Sequence, residues 1–340
     1  RSVSRGLGDV YKRQLYYSQE FRNAGNKFDS SFPYKWLKVE EWGSNKGAYI
    51  PLQFFSMDVD DENYFVFESS NGVALGSSIY EAKLFALFEL VERDAFLNFW
   101  YKKARLYRID INSVEKKVQE KIARFETEDK KVYIFDMTFD ISIPSILCLA
   151  VDFRGKVATY ISTASHVNYN VAINAAVNEC LVGHRIYETN PRIGEKEYNS
   201  DYDVVEMFDH VNHASRREYI KNYDFLFESE VKTVEELYGS ESYKISDSID
   251  DAKDLLDFIC KTKLNNHGKI YFADLSTKMS YEYGFFVAKI VVSGMLPMTF
   301  GYANQRINRE RIKNAIQNSK YSDRCLCKGD EIDDRAHPFP

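Results

Sequence analysis

The sequence predicts a mixed α/β (α+β) fold in which mixed sheets pack with helices. Runs of aromatic and branched apolar residues alternate with long segments of helical periodicity. Hydrophobic residues make up 44% of the 340, enough for a sizeable core and too many for general disorder. No Pro/Ser-rich linker divides the chain, so residues 15–340 are expected to form one domain, with 323–340 as a C-terminal tail. Residues 1–14 lack both an initiator Met and an apolar core, and are expected to be a non-native tail outside the fold.

The elements follow in order. Residues 48–56 and 64–68 run apolar with aromatics and read as strands. A long helix is expected over 78–103. Residues 113–127 read as a solvated amphipathic helix with Val114, Val118 and Ile122 on one face. Three strands are expected in succession at 131–137, 146–152 and 156–162, the middle one most buried. Residues 168–190 carry small and apolar residues at helical spacing and hold Glu179. Segments 202–223 and 248–262 read as helices, the first of them polar. Strands are expected at 269–275 and 285–293, joined by a short crossover. A basic, exposed helix at 306–319 and a charged, turn-rich stretch at 323–336 complete the chain.

Net charge is −6, without the clustered basic surface that nucleic-acid binding requires, and no apolar run approaches membrane-spanning length. The five cysteines are an odd number without a secretory signal, which argues for a reducing cytoplasm. Cys325 and Cys327 are too close for the usual zinc spacing and have no second pair. His210 and His213 lie three apart on a helical pattern, but no third ligand is in view, so both are expected at the surface. His166 and His184 are isolated, and no Ser-His-Asp or Cys-His arrangement can be assembled.

The most informative stretch is 69–98. Glu81, Glu89 and Glu92 sit in a run that is otherwise almost wholly apolar. At about 100° per residue they fall within an arc of roughly 80°, interleaved with Phe85, Phe88 and Phe96. Leu84, Leu87, Leu90 and Val91 cover other sides, so little of this helix can face water. Buried carboxylates are costly unless paired or bound to a metal. Two readings stay open. The acids hold a hard cation, Mg²⁺ first, with Arg93 taking a phosphate; or they pair with Arg93 and another basic residue in a structural network. Ser77 and Ser78 are candidate N-caps with Glu81 at capping-box distance from Ser78, so Glu81 has a purely structural reading too.

Ser70-Asn71-Gly72, then Gly76, Glu81-Ala82 and Glu89-Leu90-Val91-Glu92-Arg93-Asp94, closely resembles the signature helix of YcaO-domain proteins. It looks most like the azoline-forming cyclodehydratases of thiazole/oxazole-modified peptide maturation. Residues 269–275 and 283–301 are similar to the family's late strand and following turn, and the chain ends His337-Pro338-Phe339-Pro340, like that branch's proline-rich tail. The likeness covers roughly 39–340 and implies a YcaO-like fold.

The resemblance implies ATP and Mg²⁺ as cofactors. Glu89 and Glu92 match the family's metal-binding pair and Arg93 its phosphate-contacting Arg. Glu81 matches an upstream Glu at the nucleotide, and Ser77 stands where relatives often have Asn. Asn71 and Gly72 shape the loop before the helix. Glu179 matches a further nucleotide-site Glu, although Val182 replaces the usual Gln after it. Lys289 stands where relatives often carry Arg. Pro338 and Pro340 match a catalytic tail that runs towards the active site, with Ala336 at the first Pro place. The implied reaction converts Cys, Ser or Thr of a ribosomal precursor peptide to thiazoline or oxazoline by phosphorylating the backbone amide oxygen, as in bacteriocin and other RiPP biosynthesis. The implied partners are the precursor peptide, a ThiF-like leader-binding protein, a flavin dehydrogenase and a second copy in a homodimer. Thioamide or amidine formation, and a non-catalytic peptide-docking subunit, are the alternatives. The family has an earlier acidic helix with no counterpart in 15–63, so the first part of the domain is expected to be missing.

Overall fold

The computed structural model describes residues 31–44, 47–56, 65–66, 70–239 and 251–340. The expected tail at 1–14 and most of the strand expected at 64–68 lie outside them. In chain order the main elements are β1 (Trp36–Glu41), β2 (Gly47–Pro51), β3 (Val73–Gly76), α1 (Ile79–Lys102) and β4 (Tyr107–Ile109). Next come α2 (Lys116–Phe125), β5 (Lys130–Asp136), β6 (Ser145–Asp152), β7 (Thr159–Ser165), α3 (Tyr169–Thr189) and α4 (Met207–Ala214). The last are β8 (Val231–Lys232), α5 (Ala252–Thr262), β9 (Ile270–Asp274), β10 (Phe286–Val292) and α6 (Arg309–Gln317). The chain clusters into two compact units, and α1 passes from the first to the second after Asp94.

The first unit takes the described residues up to Asp94 together with 251–299 and 303–311. Its sheet has the order β2-β1-β9-β10-β3, and every neighbouring pair is antiparallel. The core under it is aromatic and branched: Tyr34, Val39, Ile50, Phe54, Tyr271 and Val291 are all buried. α6 is shorter than the sequence suggested because Asn308 caps it, accepting from the Arg311 N–H at 2.9 Å. It is also less exposed than expected. Arg306 and Arg311 are buried, and Arg311 is drawn inward by Asp94, which its Nε and Nη2 reach at 3.0 and 2.5 Å.

The second unit takes 95–239, 300–302 and 312–340. Its sheet runs β7-β6-β5-β4-β8 and is mixed only through the short parallel β4–β8 pair. β6 is the middle of the three successive strands, and every residue of it is buried, as its unbroken apolar run requires. α3 presents Ala172, Ile173, Ala176, Val177 and Cys180 to the core that Ile134, Ile146, Cys148 and Tyr160 supply. The polar segment 202–223 does not form one helix. It breaks into two 3₁₀ stretches around α4 because Asp209 turns back to accept from the Val205 and Glu206 N–H groups at 2.9 and 3.1 Å, which fixes a helix start there.

Candidate active site

α1 starts at two serines, each bonded to Glu81. Ser78 Oγ accepts from the Glu81 N–H at 3.2 Å, while Glu81 Oε2 accepts from both the N–H and the Oγ of Ser77 at 2.6 Å. The two Ser77 bonds hold the Glu81 carboxyl below its usual range. Ser77 and Glu81, both expected at the nucleotide, are therefore bound to each other, and the Glu81 carboxylate does not accept from the Ser78 N–H that a capping box would use. The helix ends where Lys103 adopts φ 47, with Ala104 N–H reaching Phe99 O at 3.3 Å and Lys103 N–H reaching Trp100 O at 3.4 Å.

Between these ends lies a charged cluster in the first unit. Gly72 has φ 64, and a Cβ there would stand 2.7 Å from Ile290 O, so only glycine fits. Its carbonyl accepts from the Ile290 N–H at 2.8 Å, which ties the loop to β10. In this pose the N–H groups of Gly72 and Val73 both serve the Glu89 carboxylate. Arg93, one turn on, reaches Glu89 Oε1 at 2.6 Å through Nη2 and Asn71 Oδ1 through Nη1. Asn71 is buried and donates to Met298 O. Lys289 is buried opposite Val73 on β10, and its charge also acts on Glu89. Burial nevertheless outweighs all these favourable neighbours and pushes the Glu89 carboxyl above its usual range. Glu92 is half-buried on the same helix.

Asn71, Gly72, Glu89, Arg93 and Lys289 are thus brought together. The donor set suits Mg²⁺ and a polyphosphate: two carboxylates three residues apart for the metal, and a guanidinium and a buried ammonium for phosphate. Among the described residues no three of His, Cys, Asp and Glu converge as a metal-binding group. Asp94 is the residue that sequence reasoning missed. It closes the acidic motif and is sealed by Arg311 and by the Leu296 N–H at 2.8 Å, which anchors the turn after β10. Its place directly after Arg93 was the only signal.

In the second unit Glu179 lies on an exposed face of α3. The last part of the C-terminal tail, residues 336–339, is buried. Trp100 Nε1 donates to Arg335 O at 3.0 Å, Tyr219 Oη to Ala336 O at 3.2 Å and His210 Nδ1 to His337 O at 2.6 Å. Phe339 packs on Phe96, ring centroids 5.1 Å apart. His210 and His213, expected at the surface, are buried instead, because the tail and its surrounding rings cover them. His210 Nε2 accepts from the Gly301 N–H at 2.8 Å, so the ring is neutral with its proton on Nδ1. Burial lowers its pKa to about 4.

The family model described as YcaO cyclodehydratase, ATP- and Mg²⁺-binding, matches residues 5–296. The chain belongs to the YcaO family. Its fold is similar to that of a heterocyclase solved in complex with substrate and cofactor, at TM-score 0.74 and 20% identity, over 98% of this chain and 42% of that one. It is also similar to the YcaO protein of Methanopyrus kandleri bound with AMPPCP and Mg²⁺, at TM-score 0.57 and 15% identity, over 82% and 69% of the two chains. An uncharacterized protein in the tfuA 3′ region of Rhizobium leguminosarum bv. trifolii is 33% identical over 124 residues, which are 35% of this chain and 30% of that protein. The chain thus spans less than half the length of the heterocyclase and about a third of the Rhizobium protein. ATP and Mg²⁺ are the ligands of the family to which it belongs. No helix among the described residues is long and apolar enough to cross a membrane.

Proposed function

We propose that this protein is an ATP-dependent cyclodehydratase that converts Cys, Ser or Thr of a ribosomal precursor peptide to thiazoline or oxazoline. The observation that carries the reading is the convergence of Glu89, Arg93, Asn71 and Lys289 on a loop shaped by Gly72, within a chain that belongs to the YcaO family. Mg²⁺–ATP, when bound, supplies the phosphoryl group that turns a poor leaving group, the amide oxygen, into a good one. Glu89 and Glu92 would hold the metal. Arg93 and Lys289 would neutralise phosphate charge, and Arg93 is already oriented for this by Asn71. The roles of Ser77, Glu81, Glu179, Pro338 and Pro340 are carried over from the family resemblance alone. So are the ThiF-like leader-binding partner, the flavin dehydrogenase and the homodimer, while the cytoplasmic setting rests on the odd cysteine count without a secretory signal.

A second reading has its own observation. The Glu89–Arg93 pair at 2.6 Å is what a non-catalytic subunit with a structural ion pair would show. The Glu89→Gln/Glu92→Gln variant separates the two. Burial raises the Glu89 pKa in the fold, so its charge opposes folding and neutralising it should leave the melting temperature unchanged or higher. Loss of nucleotide binding and of peptide dehydration by mass spectrometry, at an unchanged melting temperature, supports the enzyme. Unchanged dehydration, or a large drop in melting temperature, points to the structural pair.

A further inference from the structure

We propose that the second unit carries a binding site for a small oxyanion, a phosphate or carboxylate group, formed by His213, Arg216 and Lys221 beside the C-terminal tail. A cavity of about 210 Å³ lies here, and these three residues line it together with Tyr198, Tyr219 and Arg335. Water takes about 30 Å³ per molecule, so there is room for an oxyanion and several waters.

The case rests on which groups are already engaged. His213 is only 9% exposed, held edge-on against Tyr219 at 5.2 Å and tilted against Tyr198 at 5.1 Å. Among the described residues no hydrogen bond engages its imidazole nitrogens, and the residue lines the cavity. Arg216 places Nε on His213 O at 3.1 Å and Nη1 on Tyr198 O at 3.0 Å and Glu218 at 3.4 Å. Among the described residues no hydrogen bond or ion pair engages its Nη2, nor Lys221 Nζ. The two acids of the lining are engaged otherwise. Glu218 pairs with Arg216, and Asp201 accepts from the Ala336 N–H at 3.3 Å. What remains for a ligand is therefore a set of N–H donors, two of them cationic, which suits an acceptor-only anion.

The setting of His213 sharpens this. Burial lowers its pKa to about 4, and Arg216 and His210 add to the effect against the pull of Glu218 and Asp203. Lys221 and Arg335 also line the cavity it faces, and Tyr198 and Tyr219 cover its ring. An anion seated here favours the imidazolium, so binding takes up a proton and tightens as pH falls below neutral. The site is next to Arg335, whose carbonyl Trp100 holds, and so next to the start of the buried tail. The inference stands whether or not Glu89 and Glu92 hold a metal.

The test is NMR of histidine-labelled intact protein below neutral pH, titrated separately with inorganic phosphate and with acetate. A saturable shift of one imidazole is expected, absent in His213→Gln, with its titration midpoint raised by about one unit, equivalent to a tenfold preference for the charged ring. Saturation by phosphate alone assigns a phosphate-bearing ligand; saturation by both assigns the carboxylate class. Arg216→Gln should weaken binding at least about tenfold. Lys221→Gln, at an exposed position that cannot disturb the fold, should weaken it a few-fold. No saturable shift with either anion, or unchanged affinity in Lys221→Gln, overturns the site.

Discussion

Asp94 and Arg311 give the sharpest test of how the acidic helix is held. Asp94 accepts the Leu296 N–H at 2.8 Å and two bonds from the Arg311 guanidinium at 3.0 and 2.5 Å, and both side chains are at most 5% exposed. Solvent screening is therefore small. Removing one partner of such a pair leaves the other charge buried and uncompensated, which costs about 3–5 kcal/mol. Asp94→Ala also strips the Leu296 N–H of its acceptor, another 1–3 kcal/mol or so. Arg311→Met keeps apolar volume and leaves Asp94 one hydrogen bond, so its cost should lie near the lower figure. The pair Asp94→Asn/Arg311→Met removes both charges, and the asparagine oxygen can still accept from Leu296. Its loss should fall short of the summed losses of Asp94→Asn and Arg311→Met, measured singly, by at least about 2 kcal/mol in a double-mutant cycle. Chemical denaturation with a fluorescence readout measures each value. Additive costs within about 0.5 kcal/mol would mean that the charges do not depend on one another, and the reasoning would fail.

Two further outcomes are expected. Gly72→Ala places a methyl group 2.7 Å from Ile290 O at a φ of 64, so it should destabilise by about 1–3 kcal/mol in denaturation and also weaken Mg²⁺–nucleotide binding, since the same loop serves Glu89; tight binding by a destabilised variant would separate the loop from the site. His210 is held neutral in the fold with a pKa of about 4 against an ordinary 6.5, so its contribution is complete above about pH 6.5 and lost as pH falls towards 4, roughly 3 kcal/mol in all. Stability measured across that range should fall for the parent protein and fall less for His210→Gln; equal slopes would show that the ring does not carry the effect.

The fold class and the acidic helix were legible because their signals are local. Apolar runs mark β5, β6, β9 and β10 to within a residue, although the strand expected at 48–56 gives way to a 3₁₀ turn after Pro51 and the one expected at 156–162 lies three residues later; a Ser-x-x-Glu start with helical spacing marks α1 to within a residue or two at each end. The partners of the acids were not legible. Glu81 finds its own in Ser77 four residues away, a contact that sequence spacing could weigh. Asp94 finds Arg311 more than two hundred residues on, and no periodicity reports such a pairing. His210 failed for the same reason. A polar helix pattern reads as surface until a distant segment covers it, and here the covering segment is the extreme C-terminus.

These partners also explain why the acids can share one apolar helix. Glu81, Glu89 and Asp94 on α1 each have their own kind of compensation, and the kinds differ in what they leave for chemistry. Glu81 is spent on a cap and Asp94 on a sealed guanidinium. Glu89 has two backbone N–H groups and Arg93, yet its side chain keeps 23% of its surface open and burial still raises its pKa. A carboxylate kept charged at a net cost to folding, with open surface and two cations nearby, is the member of the set that a divalent ion would stabilise most. The ordering is testable within one helix: Mg²⁺ should protect a Glu89-containing protein against denaturant and give no protection to Glu89→Gln, while the Ser78→Ala variant, which removes the acceptor for the Glu81 N–H at the helix start, keeps the protection.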